Sequence, residues 1–138
     1  MNNGKIETFT DLNAWKEAHI LVLSIYKTTR IFPREETYSL TDQMRRAAVS
    51  IVSNIAEGFS RESYKEKVQF YAISRGSNTE LQSQLLIAKD LGYMPILEFT
   101  QLNQQAIIVH KLITGLIKAS KLRIMNNGRR IMNNATQL

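Results

Sequence analysis

A chain of 138 residues is long enough to bury one hydrophobic core and too short to call for two domains. With no cysteine, disulfides, zinc–thiolate sites, iron–sulfur ligation and cysteine nucleophiles are excluded together. The formal net charge of +6 is unevenly placed: all 12 acids lie at or before Glu98, whereas Lys111, Lys118, Lys121, Arg123, Arg129 and Arg130 follow it. An anionic partner would therefore meet the C-terminal part of the chain, although the same residues also fit a merely solvated basic surface. No window nears the roughly 18 apolar residues of a membrane span, and "MNNGKIETFT" lacks a signal-peptide pattern, so a cytoplasmic protein with no membrane partner is expected.

Helical periodicity dominates, and no alternating run marks a strand. A first helix is predicted after Asp11 as N-cap, with Leu12, Trp15, Ala18, Val22, Ile25, Tyr26 and Thr29 spaced by three or four. It should stop near Phe32, because Pro33 disfavours helical geometry in the residue before it. A second is predicted to begin after Thr41 and to close at Gly58 in a left-handed conformation. The third should run from about Glu62 to Leu91, with Gly92 as terminator and Gly76 as a costly interior glycine. A fourth opens around Pro95, and Phe99, Leu102, Ala106, Val109, Ile113, Leu116 and Ser120 then mark the seam of a left-handed bundle.

Short connections between long helices make sequential neighbours antiparallel, so the expected fold is all-α, an up-down-up-down four-helix bundle. Apolar residues outside these seams (Ile20, Leu23, Phe70, Ile73, Ile107, Ile108, Leu112 and Ile117) widen the apolar arcs beyond one core and point to self-association. The expected organisation is an N-terminal extension over 1–10, the bundle over 11–122, and a basic, Asn-rich tail over 123–138. In that tail Ile-Met-Asn-Asn recurs seven residues apart. Asn and Gly oppose helix, so a mobile tail is expected there, with a short basic arm around Arg129 and Arg130 as the functional alternative.

The segment "RRAAVSIVSNIAEGFSR" (45–61) carries a polar stripe, Arg46, Ser50, Asn54 and Glu57, on one face, and Met44, Ala48, Ile51, Val52 and Ile55 on another. Small residues let a neighbouring helix approach, and polar atoms trapped there need partners, which Tyr71, Ser74, Ser77, Asn78 and Glu80 of the third helix could supply. The stripe is thus read as a register-fixing network. The catalytic alternative would use Glu57 and Glu80 as acid and base. No nucleophile–base pair accompanies them, His19 and His110 lie on different helices without Glu-x-x-His spacing, and phosphate- and dinucleotide-binding glycine patterns are missing. No enzyme, metal site or cofactor is expected.

Gln104, Lys111 and Lys118 are seven apart, with Lys121 and Arg123 nearby, a pattern that could track phosphates without reading bases. Arg30, Arg34, Arg45 and Arg46 form a second basic cluster, which also fits a solvated face partly neutralised by Glu35, Glu36 and Asp42.

The segments "FTDLNAW", "IYKTTRIFPREETYSLTDQMRRAAVSIVSNIAEGFSR" and "FYAISRGSNTELQSQL" resemble the bacterial four-helix-bundle family whose founding members are encoded in intervening sequences of 23S ribosomal RNA genes. The resemblance covers about residues 9–120 and implies an antiparallel bundle, commonly a ring-like homopentamer. Arg46, Ser50, Asn54, Glu57, Gly58, Ser77 and Glu80 fall on the family's signature positions. A more distant likeness is to accessory bundle proteins of diversity-generating retroelements, which bind nucleic acid and a reverse transcriptase. The expected function is a non-enzymatic homo-oligomer that binds RNA or other nucleic acid through Lys111, Lys118, Lys121, Arg123, Arg45 and Arg46. The alternative is a scaffold for a protein partner such as a reverse transcriptase. If the stripe is structural, Glu57→Ala is expected to lower the melting temperature or dissociate the oligomer.

Overall fold

The four apolar periodicities become four helices: α1 (Asn13–Thr29), α2 (Leu40–Ser60), α3 (Tyr64–Asp90) and α4 (Ile96–Thr136). The computed structural model describes residues 4–136. Residues 1–3 of the expected extension and 137–138 of the expected tail lie outside the described residues. Single 3-10 turns occupy Phe9–Asp11 and Arg34–Glu36, and no strand occurs among the described residues.

Local chemistry explains most of the boundaries. Asp11 acts one turn earlier than expected: its carboxylate accepts from the backbone N–H groups of Glu7 and Thr8 at 2.9 and 3.0 Å, and Leu12 takes the N-cap position of α1. At the head of α2 the Glu36 carboxylate, not Thr41, receives an end N–H, that of Leu40, at 3.1 Å. Ser63 caps α3 by accepting from Glu66 N–H at 3.1 Å. Gly92 follows α3 with φ of 77°, the left-handed conformation expected of it.

Gly58 corrects the sequence reading. It lies inside α2, which continues to Ser60, and it is not among the glycines of positive φ. Its missing side chain serves packing instead. A β-carbon there would stand 2.7 Å from the Tyr71 ring and 3.1 Å from Phe70 Cβ. The end of α2 is closed by Lys67, whose Nζ donates to Phe59 O at 2.6 Å, so an otherwise orphaned helix-end carbonyl has a partner. Burial of that ammonium lowers its pKa below the ordinary lysine value.

Packing is cyclic: α2 and α4 each rest on both α1 and α3. The centre is formed by Leu21 and Ile25 of α1, Ile51 and Ile55 of α2, Leu81 and Leu85 of α3, and Val109 and Ile113 of α4, all fully buried. Each such side chain contributes about 1.5–3 kcal/mol by leaving water. The seam predicted for α4 is buried at Leu102, Ala106, Val109, Ile113 and Ser120. In α1 it is rotated, since Ala14, Leu21 and Thr28 are buried while Tyr26 is exposed. That helix carries apolar residues around most of its circumference, and Ala14, Ala18, Leu21, Ile25 and Thr28 form an alternative seam of spacing four, three, four and three.

Ile117, read as surplus, belongs to the core, whereas Ile20, Leu23, Ile73, Ile107 and Ile108 remain exposed. The segment from Arg123, expected as a tail because of its Asn and Gly, continues α4 as helix through Thr136. Packing ends with Ser120, and beyond it only Ile124 is half-buried up to Ala135. The unfavourable step in making a helix is its first turn. Here that turn lies in the packed part, so each further residue adds one hydrogen bond against a propensity cost of at most about 1 kcal/mol for Gly128.

The interior glycines of α2 and α3 predict opposite outcomes. Gly58→Ala should destabilise the fold by about 1–3 kcal/mol through overpacking against Tyr71. Gly76, with nothing within 4 Å of its would-be β-carbon, should gain up to about 1 kcal/mol on substitution by Ala. Urea unfolding of both variants checks the pair.

Candidate functional site

The polar stripe of α2 divides into two populations. Ser50 and Asn54 face α3. The Ser50 and Ser77 hydroxyls lie 2.7 Å apart, and Asn54 Nδ2 donates to Ser50 O at 2.8 Å and to its Oγ at 3.1 Å. Arg46 and Glu57 do not join them. Arg46 Nε pairs with Asp42 at 2.9 Å within α2, and Glu57 pairs with Arg61, just past the helix end, at 2.6 Å, both near the surface. Glu80 likewise accepts from Gln84 Nε2 of its own helix at 3.2 Å. Of the expected network of Arg46, Ser50, Asn54, Glu57, Ser77 and Glu80, only Ser50 and Ser77 link α2 to α3, with Asn54 bonded to Ser50 within α2. At spacings of four and three, Arg46 and Glu57 sit at the two ends of the stripe, where long side chains reach water and local partners.

The buried polar work between helices falls to other residues. Ser74 Oγ donates to Ile51 O at 2.7 Å and Asn78 Nδ2 to Ala106 O at 2.8 Å, so neighbouring turns of α3 grip α2 and α4. Asn78 is fully buried, and its Oδ1 has no hydrogen-bond partner among the described residues. Across α1 and α4, Thr28 donates to Glu98 at 2.6 Å, and Gln105 Nε2 donates to Glu17 O at 2.8 Å. Ser74 and Asn78 were legible as partners for the α2 stripe. Their actual acceptors, main-chain carbonyls, leave no mark in side-chain spacing.

The two basic clusters are far apart. Arg45 Nε donates to Thr29 Oγ1 at 2.9 Å and its guanidinium lies 4.7 Å from the Tyr26 ring centre. With Arg46, Tyr26, Asp42, Val49 and Ser50 it lines an open groove of about 620 Å³. Thr28, next to Thr29, bonds Glu98 near the start of α4, and Lys118 lies twenty residues further along, roughly 30 Å at 1.5 Å per residue. One small ligand cannot bridge Arg45 and Lys118.

Within α4 the four predicted cations do not share one face. Lys111 and Lys118, seven apart, return to the same edge, whereas Lys121 is about 60° round from Lys118 and Arg123 about 140°. Arg123 instead borders a groove with Ile6, Leu12, Phe59, Tyr64 and Lys67. Lys111, Lys118, Lys121 and Arg123 are all exposed, and none forms an ion pair among the described residues. Among those residues no three His, Asp or Glu side chains converge as metal ligands, and no helix is long and apolar enough to cross a membrane. His19 stacks on Trp15 with ring centres 4.8 Å apart.

A family model described as 23S rRNA-intervening sequence protein matches residues 10–115. Four solved chains match. One is the crystal structure of a protein with unknown function from the S23 ribosomal protein family of Bacteroides thetaiotaomicron, at 18% identity and a TM-score of 0.71 over 76% of this chain and 95% of that one. At that identity the likeness bears on the fold alone. No curated protein sequence matches.

The division of the stripe predicts a matching division of stabilities. Asn78→Ala should cost about 1–3 kcal/mol by removing a buried hydrogen-bonding side chain. Glu57→Ala should cost no more than about 1 kcal/mol, because an exposed pair one turn apart is all it breaks. This replaces the larger effect expected from sequence, and parallel thermal melts of the two variants decide it.

Proposed function

From the premise that the chain belongs to the family of 23S rRNA-intervening sequence proteins, we propose that it is a non-enzymatic, antiparallel four-helix bundle that binds RNA through the phosphate backbone as a ring-like homo-oligomer. The observation that carries this reading is the charge distribution on α4. From Phe99 onward the helix has no acid, and Lys111 and Lys118 stand exposed on one edge with no carboxylate partner among the described residues. Cations left unneutralised in this way attract a polyanion, displace its counterions and confer strong salt dependence without sequence readout.

Antiparallel packing is supported by the register of the contacts. Gly58 meets Tyr71, Ile51 meets Ser74 and Ser50 meets Ser77, so numbering rises on α3 as it falls on α2. The pairs Asn78 with Ala106 and Arg75 with Thr114 run the same way between α3 and α4. Exposed Ile20, Leu23 and Ile73 support self-association, since a monomer gains nothing by leaving them in water. A ring would repeat the α4 edge and raise weak affinity by multivalency. Arg45 and Arg46 form a lesser candidate: one is held by Thr29 and Tyr26, the other by Asp42.

Charge reversal gives the test. Lys111→Glu with Lys118→Glu should abolish retention of a mixed RNA at low salt while changing stability by no more than about 0.5 kcal/mol per site, as befits exposed surface positions. RNA retention that is unaffected by the double reversal would overturn the reading. Capture of a protein partner that survives nuclease and high salt, together with no RNA affinity, would favour the scaffold instead.

A further inference from the structure

The continuation of α4 places a third cation in line with two already described. Seven residues fall short of two helical turns by about 20°, and eleven overrun three turns by about 20°. Lys118 follows Lys111 by seven residues and Arg129 follows Lys118 by eleven, so the two offsets cancel. Lys111, Lys118 and Arg129 therefore lie on one edge, about 27 Å from first to last at 1.5 Å per residue. The helix is unbroken between them, all three are exposed, and none forms an ion pair among the described residues.

One further feature fits a long anionic chain lying along this edge. Gly115, four residues after Lys111 and three before Lys118, is exposed and has nothing within 4 Å of where a β-carbon would project. The bundle does not need that glycine for packing, and a helix-interior glycine is costly. Its bare backbone leaves room for a phosphate between the two lysines. Arg130, the next residue in the chain, points about 100° away from Arg129. It provides a neighbour of equal charge on a different face.

We propose that the phosphodiester backbone of one RNA strand tracks this edge from Lys111 across Gly115 and Lys118 to Arg129, so that the helical extension beyond the bundle is part of the binding surface. The inference rests on the RNA-binding reading and adds to it both the path of the strand and a contact, Arg129, on the part of α4 beyond the packed core. Each phosphate contact to single-stranded nucleic acid contributes about 0.7 to the slope of log affinity against log salt.

The test is that slope, measured with a short mixed-sequence single-stranded RNA for the full-length chain and three variants. Arg129→Gln should reduce its magnitude by about 0.7 for each protomer in contact, and Arg130→Gln should leave it unchanged. Equal reductions by both variants would mean that the extension binds as an unoriented basic segment and would overturn the proposal. So would an unchanged slope for Arg129→Gln. Lys111→Gln with Lys118→Gln separates the two levels: if this pair lowers the slope while Arg129→Gln does not, the extension alone is excluded from the path. If neither variant changes it, the RNA-binding reading falls as well.

Discussion

At Gly58 the backbone of α2 comes so close to the Tyr71 ring that a β-carbon would stand 2.7 Å from it, and the rest of the bundle is aligned by that approach. Two turns earlier along α2, the Ile51 carbonyl receives the Ser74 hydroxyl at 2.7 Å, and Ser50 meets Ser77 at the same distance. These are short side chains reaching main chain or one another, so they hold only if the two helices stay near and in one register. A slip of one residue would strand the hydroxyls without partners, at about 1–3 kcal/mol each. With α3 fixed in this way, Asn78 fixes α4 through the Ala106 carbonyl, and the outer edge of α4 acquires a definite direction relative to the core.

The sequence made the helices legible because their apolar spacing was strong: the α4 seam from Leu102 to Ser120 and the stop at Gly92 both appear as read. The errors have physical causes. Tyr26 and Leu21 compete for the same core in a helix that is apolar nearly all round, and periodicity alone cannot choose between them. Gly58 was read by its conformational freedom, when its small volume is what matters. The Asn-rich segment after Arg123 was judged by intrinsic propensity, although a helix already formed continues through such residues. Of the candidate site, Lys111 and Lys118 were legible as a seven-residue pair. Arg129 joined them only once the helix was known to continue.

The α2 stripe and the α4 edge show why polar periodicity is ambiguous until burial is known. Ser50 and Asn54 are half-buried, Ser50 meeting Ser77 of α3 and Asn54 bonding back to Ser50 within α2, so their chemistry is used up in packing. Lys111 and Lys118 are exposed and form no ion pair among the described residues, so their charge is available to a partner. Arg45 lies between these cases: its position against Thr29 and Tyr26 ties much of its guanidinium to α1. All acids lie before Phe99 and six bases after it, so the net positive charge is concentrated on one helix.

The most direct measurement is the light-scattering mass of the protein, alone and with a mixed RNA, stepped from low to physiological salt. The account predicts a multiple of 15.8 kDa that gains RNA mass at low salt and sheds it as screening shortens the reach of the exposed lysines. A particle whose mass is the same with and without RNA at every salt concentration would contradict it.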